Sequence, residues 1–301
     1  MNAHLGEIAA LATALCWSAT AIFFAIASRR AGSIQVNRMR LLFALLFLVA
    51  THTFVTGRLL PLDAGGARWI WLGLSGIIGL ALGDAFLFQS YVEIGARLGS
   101  LMMSLAPVLS ALLAGLFLGE RLAPLQWLGV FVTVGGVGWV LMERNPQEQV
   151  QSDRKRHVRG ILLGLGAATG QAVGLILSKI GLGTDFSPLS ANLMRVLVAA
   201  TAIWFVALLQ RQARPTFEKV RQDSATLRAT IFGAFFGPFI GVWLSLFAVQ
   251  RTAIGVASTL IALPPVFLVP ISHYFFHERI GWQAIAGTIV AFAGVGLLFL
   301  A

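Results

Sequence analysis

The sequence predicts an all-α integral membrane protein with ten transmembrane helices, arranged as two inverted five-helix repeats around a central cavity. Three observations support this fold class: an apolar composition, ten apolar stretches of helical length, and an internal repeat. Of the 301 residues, 57% are hydrophobic and 11% are charged, and the mean hydropathy is +0.83. A soluble domain carries roughly 25% charged residues. The chain has too little charge to cover a water-facing globule, so we expect its outer surface to face lipid.

The apolar stretches are each long enough to cross a bilayer, which requires about 20 mostly apolar residues. Their connections are short, and the most polar of them, 143–158, lies at the middle of the chain. We expect the spans to be 6–28, 38–56, 69–92, 98–118, 124–142, 159–180, 188–209, 228–249, 253–276 and 281–301.

The two halves of the chain repeat each other at a nearly constant offset. One offset of 158 residues holds across three spans, and a slightly smaller one applies upstream. The sequence therefore predicts a first repeat at 1–145, a cytoplasmic linker at 146–158 and a second repeat at 159–301. The pairs at 158 include Gly79–Gly237, Gly83–Gly241, Pro107–Pro265, Glu120–Glu278, Gly129–Gly287 and Gly136–Gly294, and those at 155 include Asn37–Asn192 and Arg40–Arg195.

The distribution of charge predicts how the chain sits in the membrane. Five spans per half require the second half to enter from the opposite side, as in many secondary transporters. The net charge of +10 comes from 22 Lys and Arg, of which 16 lie in odd-numbered gaps and 6 in even-numbered gaps. By the positive-inside rule, both termini should be periplasmic in a bacterial inner membrane. The positive charge thus indicates topology, and nucleic acid is not an expected partner.

The two five-span halves, the Glu120-Arg121 and Glu278-Arg279 pairs and the glycine-rich fifth spans resemble the drug/metabolite transporter superfamily. Within it, the chain is similar to the bacterial EamA-type exporters, and it looks closest to YddG-type exporters of aromatic and other amino acids. The resemblance implies a ten-helix basket with a central cavity between the halves. It supplies no catalytic signature, so candidate site residues follow from their chemistry.

Asp84 is the first candidate, because it lies near the middle of the third predicted span. A carboxylate at that depth is costly unless it faces water or a partner, and such groups are usually functional. We expect it to bind a substrate ammonium group or a proton. The alternative is a structural pair with an arginine. If Asp84 is functional, Asp84→Asn should impair transport and leave stability near that of the wild type.

Other candidates for substrate contact are polar or aromatic side chains near span centres. Trp17 and Gln171 are mates at an offset of 154. These side chains would offer aromatic walls and hydrogen-bond donors to a cavity, while the alternative is packing between helices. We expect Asp84, Trp17, Gln171 and Trp243 to converge on one central cavity. The full predicted set is Trp17, Ser18, Asp84, Phe88, Ser104, Gln171, Trp243 and Ser245.

Prolines within spans predict breaks that permit gating. Each proline removes one helix hydrogen bond and frees a carbonyl group, and in transporters such breaks bind substrates and allow bending. A static kink is the alternative. The predicted gating residues are Pro107, Pro238, Pro264 and Pro265. Arg40 and Arg195 lie near their span starts, where we expect snorkelling to lipid headgroups or, alternatively, contact with a substrate carboxylate.

These features favour a secondary transporter that exports small metabolites, most simply apolar or aromatic amino acids, by alternating access between the repeats. Its expected partners are the lipid bilayer, a small-molecule substrate and protons as a candidate coupling ion. No Walker motif occurs in the sequence, and we expect no cofactor and no metal site. The alternatives are a transporter of another amphipathic metabolite or drug, a lipid-modifying membrane enzyme, and a sensor or assembly factor.

Overall fold

The computed structural model describes residues 4–142, 154–268 and 281–300, and these segments are helical almost throughout. A short 3-10 turn at Leu62–Ala64 precedes the third helix. The α-helices are α1 Leu5–Ala31, α2 Ser33–Thr56, α3 Gly66–Ser75, α4 Asp84–Met103, α5 Ala106–Leu118, α6 Pro124–Met142, α7 Arg154–Leu182, α8 Pro188–Leu209, α9 Ala213–Arg221, α10 Ser224–Ala234, α11 Val242–Arg251, α12 Ile254–Ile261 and α13 Trp282–Leu300.

Six helical stretches of the described chain are long and apolar enough to cross a membrane, and four further apolar helices are shorter. The prediction of an all-α membrane protein is thereby confirmed at this coarser level. Two of the long stretches are composite, since a π-helical segment joins two α-helices in each. The first π segment, Gly76–Gly83, joins α3 to α4, and the second, Phe235–Gly241, joins α10 to α11.

The chain folds back within α4, although it stays helical to Met103. Ser90 and Met102 would lie about 18 Å apart on a straight helix. Both nevertheless lie beside Gly164 of α7, where a Cβ atom would come 3.1 Å from Ser90 Oγ and 2.8 Å from Met102 Cβ. The chain must therefore turn between residues 90 and 102.

Two of the predicted span boundaries change. The predicted span 98–118 is interrupted, because α4 ends at Met103 and α5 begins at Ala106. The predicted span 253–276 has a matching interruption after Ile261, 158 residues later. The predicted linker 146–158 lies mostly outside the described residues, and its last five residues, 154–158, already belong to α7.

Glycines bring α6 and α13 into backbone contact. A Cβ on Gly129 would lie 3.1 Å from Gly294 O, and a Cβ on Gly136 would lie 2.7 Å from Gly287 O. Residue numbers rise along one helix as they fall along the other, so the two helices run antiparallel. The contacts are reciprocal in the predicted repeat, where Gly129 matches Gly287 and Gly136 matches Gly294. Gly129 therefore contacts the glycine that matches Gly136, and Gly136 contacts the glycine that matches Gly129.

The same reciprocal pattern recurs where α1 and α7 cross the composite helices. Gly79 of the first π segment packs on α7, where a Cβ on Gly174 would lie 3.2 Å from Gly79 Cα. At the mated crossing, Gly237 of the second π segment packs on Thr20 of α1. The first helix of each predicted repeat thus packs on the third helix of the other.

Charged side chains tie together the helix ends at the face that carries the N-terminus. Lys179 pairs with Glu120 at 2.6 Å and donates a hydrogen bond to Thr252 O. Glu120 also accepts a hydrogen bond from Ile254 N, at the start of α12. The carboxylate therefore satisfies the start of a helix from the second half of the chain.

The close glycine contacts predict a position-specific effect on stability. Gly136→Ala should destabilise the protein by about 1–3 kcal/mol, as overpacking does, because its Cβ would lie 2.4 Å from the backbone nitrogen of Ala291. The neighbouring Gly135→Ala serves as a control, since nothing lies within 4 Å of its Cβ. Thermal unfolding in detergent measures both variants, and equal midpoints for the two would contradict the α6–α13 packing.

Candidate functional site

Asp84 is positioned by the first π segment, which ends at Gly83 immediately before it. Single-turn π segments inside α-helices occur frequently at functional sites. The second π segment ends at the mated position, Gly241, but Val242 follows it in place of an acid. Among the described residues, Asp84 is the one acidic side chain that lies deep within a long apolar helix. The charge therefore belongs to one repeat only.

Arg40 of α2 forms an ion pair with Asp84. Its Nη2 donates to Asp84 Oδ2, and its Nε donates to Asn37 Oδ1 at 2.6 Å. The Arg40 side chain is 9% exposed and that of Asp84 is 20% exposed, so the pair is largely withdrawn from solvent. The rings of Phe24 and Phe88 flank the guanidinium carbon at 5.6 and 5.5 Å. Asp84 is therefore not a free carboxylate, and the structural alternative of an arginine pair describes its contacts.

Arg195, the repeat mate of Arg40, approaches the same centre from the other half. The backbone of α8 touches the first π segment there, because a Cβ on Gly76 would lie 2.2 Å from Arg195 O. The guanidinium reaches Gly79, whose Cβ would lie 3.5 Å from Nη2. Gly79 lies five residues before Asp84, a little more than one helical turn. The candidate centre thus contains two arginines and one carboxylate.

The four residues that we expected to converge lie at two mated helix crossings. At one crossing, Gly83 and Gly170 are in close contact, because a Cβ on Gly170 would lie 3.2 Å from Gly83 Cα. Asp84 directly follows the first of these glycines, and Gln171 directly follows the second. At the other crossing, Trp17 packs its indole on Gly241, two residues before Trp243. Convergence of all four on one cavity stays a prediction.

Trp17, Gln171 and Trp243 are half-buried, and Gln171 makes no hydrogen bond within the described part of the chain. Trp243 lies 6.2 Å from the ring of Phe239. These side chains retain surface that a substrate could contact.

The predicted serines differ from these in burial. Ser18 is fully buried and its hydroxyl donates to Ala14 O, and Ser245 is 2% exposed and donates to Val242 O. Ser104 is buried in the interruption between α4 and α5. The hydroxyls of Ser18 and Ser245 are thus engaged by the backbone of their own helices.

The predicted gating prolines lie at interruptions in the helices. Pro107 stands in the first turn of α5, so it starts a helix where we had expected it within one. Its mate Pro265, with Pro264, follows the interruption after α12. Pro238 lies inside the second π segment, where Asn192 Nδ2 donates to the carbonyl oxygens of Pro238 and Phe239. Asn192 thereby satisfies carbonyl groups at the proline.

A groove of about 750 Å³ lies elsewhere, between α4 and α7. None of the predicted site residues lines it. Its lining residues are Phe86, Lys155, Val158, Arg159, Leu162, Leu163 and Gly166. Within the described residues, no three His, Cys, Asp or Glu side chains lie together in a way that would hold a metal ion.

Asp223 and Asp185, outside the long apolar helices, have shifted pKa values. A hydrogen bond from Arg30 and another from Thr226 hold the pKa of Asp223 well below its usual range. A hydrogen bond from Arg68 lowers the pKa of Asp185. Both carboxylates therefore stay ionised at neutral pH and hold together segments that are far apart in sequence.

Comparison with protein families identifies the class of protein. The model of the EamA-like transporter family matches residues 4–142 and again residues 158–300. The chain therefore belongs to the EamA-like transporter family, and it is a multi-pass membrane protein. The predicted resemblance is confirmed.

Three curated relatives carry transporter or family descriptions at low identity. An uncharacterized transporter of Synechocystis is 22% identical over 78% of this chain and 73% of its own length. A chloroplastic WAT1-related protein of Arabidopsis thaliana is 22% identical over 89% of this chain and 63% of its own length. A probable terminal-alkyne amino-acid exporter of Streptantibioticus cattleyicolor is 27% identical over 75% of this chain and 72% of its own length. The family and these descriptions indicate transporters, not enzymes.

A solved structure described only as "Crystal structure of protein" has the same fold. It superposes with a TM-score of 0.77 over 98% of this chain and 97% of its own, at 16% sequence identity. At this identity the likeness concerns the fold alone.

The ion pair predicts a stability effect that differs from our expectation for a free acid. Asp84→Asn should destabilise the protein by about 3 kcal/mol, because it leaves the buried Arg40 without its counter-ion. Asp63→Asn is the matched control, since Asp63 pairs with Arg58 at an exposed site, where such pairs contribute at most about 1 kcal/mol.

A double variant, Arg40→Gln with Asp84→Asn, should recover most of that loss, because no unpaired charge remains. Unfolding midpoints in detergent measure the whole set. If Asp84→Asn proves as stable as Asp63→Asn, the ion pair between Arg40 and Asp84 does not stabilise the fold, and this prediction is wrong.

Proposed function

We propose that this chain is a secondary transporter that exports small metabolites, in the first place apolar or aromatic amino acids, by alternating access between two inverted five-helix repeats. The observation that carries the proposal is the charged centre formed by Arg40, Asp84 and Arg195, which lies deep between apolar helices drawn from both halves. Ionisable groups at membrane depth mark substrate or ion pathways far more often than scaffold.

The reciprocal glycine contacts support the inverted repeat. Gly129 meets the mate of Gly136, Gly136 meets the mate of Gly129, and the two helices run antiparallel. A two-fold axis in the membrane plane produces this pattern, since it exchanges the halves and reverses their direction. The separate family matches to residues 4–142 and 158–300 agree with a duplication.

The breaks at the mated prolines supply places where each half can bend. Pro107 and Pro265 follow interruptions 158 residues apart. Rocking one half against the other about such points would expose the centre to each side of the membrane in turn. In this proposal, Trp17, Phe88, Gln171 and Trp243 provide the aromatic and amide surface for the substrate.

We further propose a bacterial inner-membrane location with both termini periplasmic, from the excess of Lys and Arg in the odd-numbered gaps. Protons are the proposed coupling ion. The linker 146–158 would then lie on the cytoplasmic side.

Amino acids are the substrate class that the comparisons favour. The relative from Streptantibioticus cattleyicolor is described as a probable amino-acid exporter. A centre with charges of both signs, flanked by aromatic rings, also suits a zwitterion with an apolar side chain. Another amphipathic metabolite that carries a charged group is the second candidate, since the same rings and charges would accept it.

Everted membrane vesicles test the proposal directly. Vesicles that contain this chain should accumulate radiolabelled apolar or aromatic amino acids faster than vesicles without it. Asp84→Asn should lower the initial rate roughly 10- to 100-fold, because Arg40 loses its charged hydrogen-bond partner at the centre, and a hydrogen bond of this kind contributes about 1.5–3 kcal/mol. Asp63→Asn should leave the rate near that of the wild type.

The rates are compared at equal amounts of folded protein, measured by size-exclusion chromatography, so that lost stability is not mistaken for lost transport. Accumulation of an amphipathic amine or drug without any amino acid would overturn the proposed substrate class.

A further inference from the structure

We propose that Arg195 binds the carboxylate of the transported substrate, so that the carboxylate is required for recognition and the ammonium group is dispensable. This inference rests on the proposed transport function and deepens it, because it assigns the substrate's recognised charge to a particular side chain.

The surroundings of Arg195 lack the partners that a buried guanidinium needs. Arg195 is 4% exposed. Its Nε is buried without a hydrogen-bond partner, and within residues 4–142, 154–268 and 281–300 its side chain donates no hydrogen bond. A guanidinium has five N–H donors and stays charged in proteins. Buried charges are normally paired or hydrogen-bonded, so this one is suited to a ligand that supplies an anion.

The mate of Arg195 shows what such a guanidinium requires when the protein itself supplies the partner. Arg40 stands at the equivalent position of the other repeat, seven residues into its helix as Arg195 is into α8. It has Asp84 and Asn37 as acceptors and two flanking aromatic rings. At the position equivalent to Asp84, the second repeat has Val242. The duplication therefore gives both halves the arginine but only one half the acid.

Counting charges at the centre selects the class of ligand. Two arginines and one aspartate leave one positive charge in excess. A monocarboxylate would neutralise it and would match the planar fork of the guanidinium with two parallel hydrogen bonds. A primary amine would add a second positive charge next to Arg195, and like charges at low dielectric repel strongly. The geometry thus favours amino acids and simple carboxylic acids over amines.

The location of Arg195 is consistent with a ligand that crosses between the halves. Its guanidinium lies beside Gly79 of the first π segment, five residues before Asp84 in the chain. Arg40 and Arg195 each lie about 10 Å from the start of their helices, so neither guanidinium is at a helix end. The site of Arg195 lies between α8 of the second half and the first π segment of the first half.

A series of ligands that share one ring tests the inference with the unmodified protein. L-phenylalanine carries both charged groups, 3-phenylpropionate only the carboxylate, and 2-phenylethylamine only the ammonium. L-leucine, 4-methylpentanoate and 3-methylbutylamine form a second series. Binding to purified protein is measured by ligand-dependent shifts of the unfolding midpoint, since a ligand that binds the folded state raises it. Competition against labelled amino-acid uptake in everted vesicles provides the second measurement.

The expected result is that the amino acid and the acid of at least one series bind and compete, while its amine does neither. If the amine competes as well as the acid does, the role of Arg195 is wrong, although amino-acid transport stands. If no carboxylate binds or is moved, the proposed function and this inference both fail.

Two variants assign the effect to Arg195. Arg195→Gln should weaken carboxylate binding about 10- to 100-fold. Arg195→Lys keeps the charge without the planar fork and should lose less. Arg38→Gln is the control, because Arg38 is also a buried arginine but donates to neutral groups, Thr216 and Gln210. Equal carboxylate affinity in folded Arg195→Gln and in the wild type would overturn the assignment. If Arg195→Gln does not fold, the ligand series and Arg195→Lys still decide.

Discussion

Close backbone contact between helices at glycine positions is the constraint on which this bundle depends. Lipid provides no hydrophobic force that would hold apolar helices together, so association rests on packing and on buried polar contacts. Here Gly136 and Gly287 bring α6 and α13 together, and Gly83 and Gly170 do the same for the composite helix and α7. Any side chain at these positions would separate the helices, and the charged centre between them would lose its enclosure.

The charged centre follows from this packing. Arg195 reaches the neighbourhood of Asp84 only because its own backbone lies against Gly76, where even a methyl group would collide with the carbonyl oxygen. The π segment that contains Gly76 ends at Gly83 and thereby sets the direction of Asp84. In the proposed repeat, the second half has Val242 at the position of Asp84, so the two arginines are not equivalent. One arginine is satisfied by the protein, and the other suits a substrate.

Much of this could be predicted from the sequence, because composition, span length and a repeat at constant offset are properties of the chain itself. The all-helical membrane class and the family follow from them, and the importance of Asp84 follows from its depth. The partner of Asp84 did not follow from the sequence, because an arginine near the start of a span can equally extend its side chain to the lipid headgroups. One signal for this pairing was present, since Arg40 and Arg195 are basic residues at matching positions inside their spans. The interruption before Pro107 was not predicted, because apolar residues continue across it throughout the predicted span 98–118.

Inversion of the two repeats is the central claim, and cysteine labelling at two mated positions tests it most directly. Gly66 and Ser224 are exposed, begin α3 and α10, and are 158 residues apart. Gly66→Cys and Ser224→Cys are each introduced after Cys16, the single cysteine of the chain, has been replaced by serine. A membrane-impermeant maleimide should label Gly66→Cys in intact spheroplasts, and Ser224→Cys only after permeabilisation. Labelling of both cysteines from the same side of the membrane would contradict the inverted repeat and the account built on it.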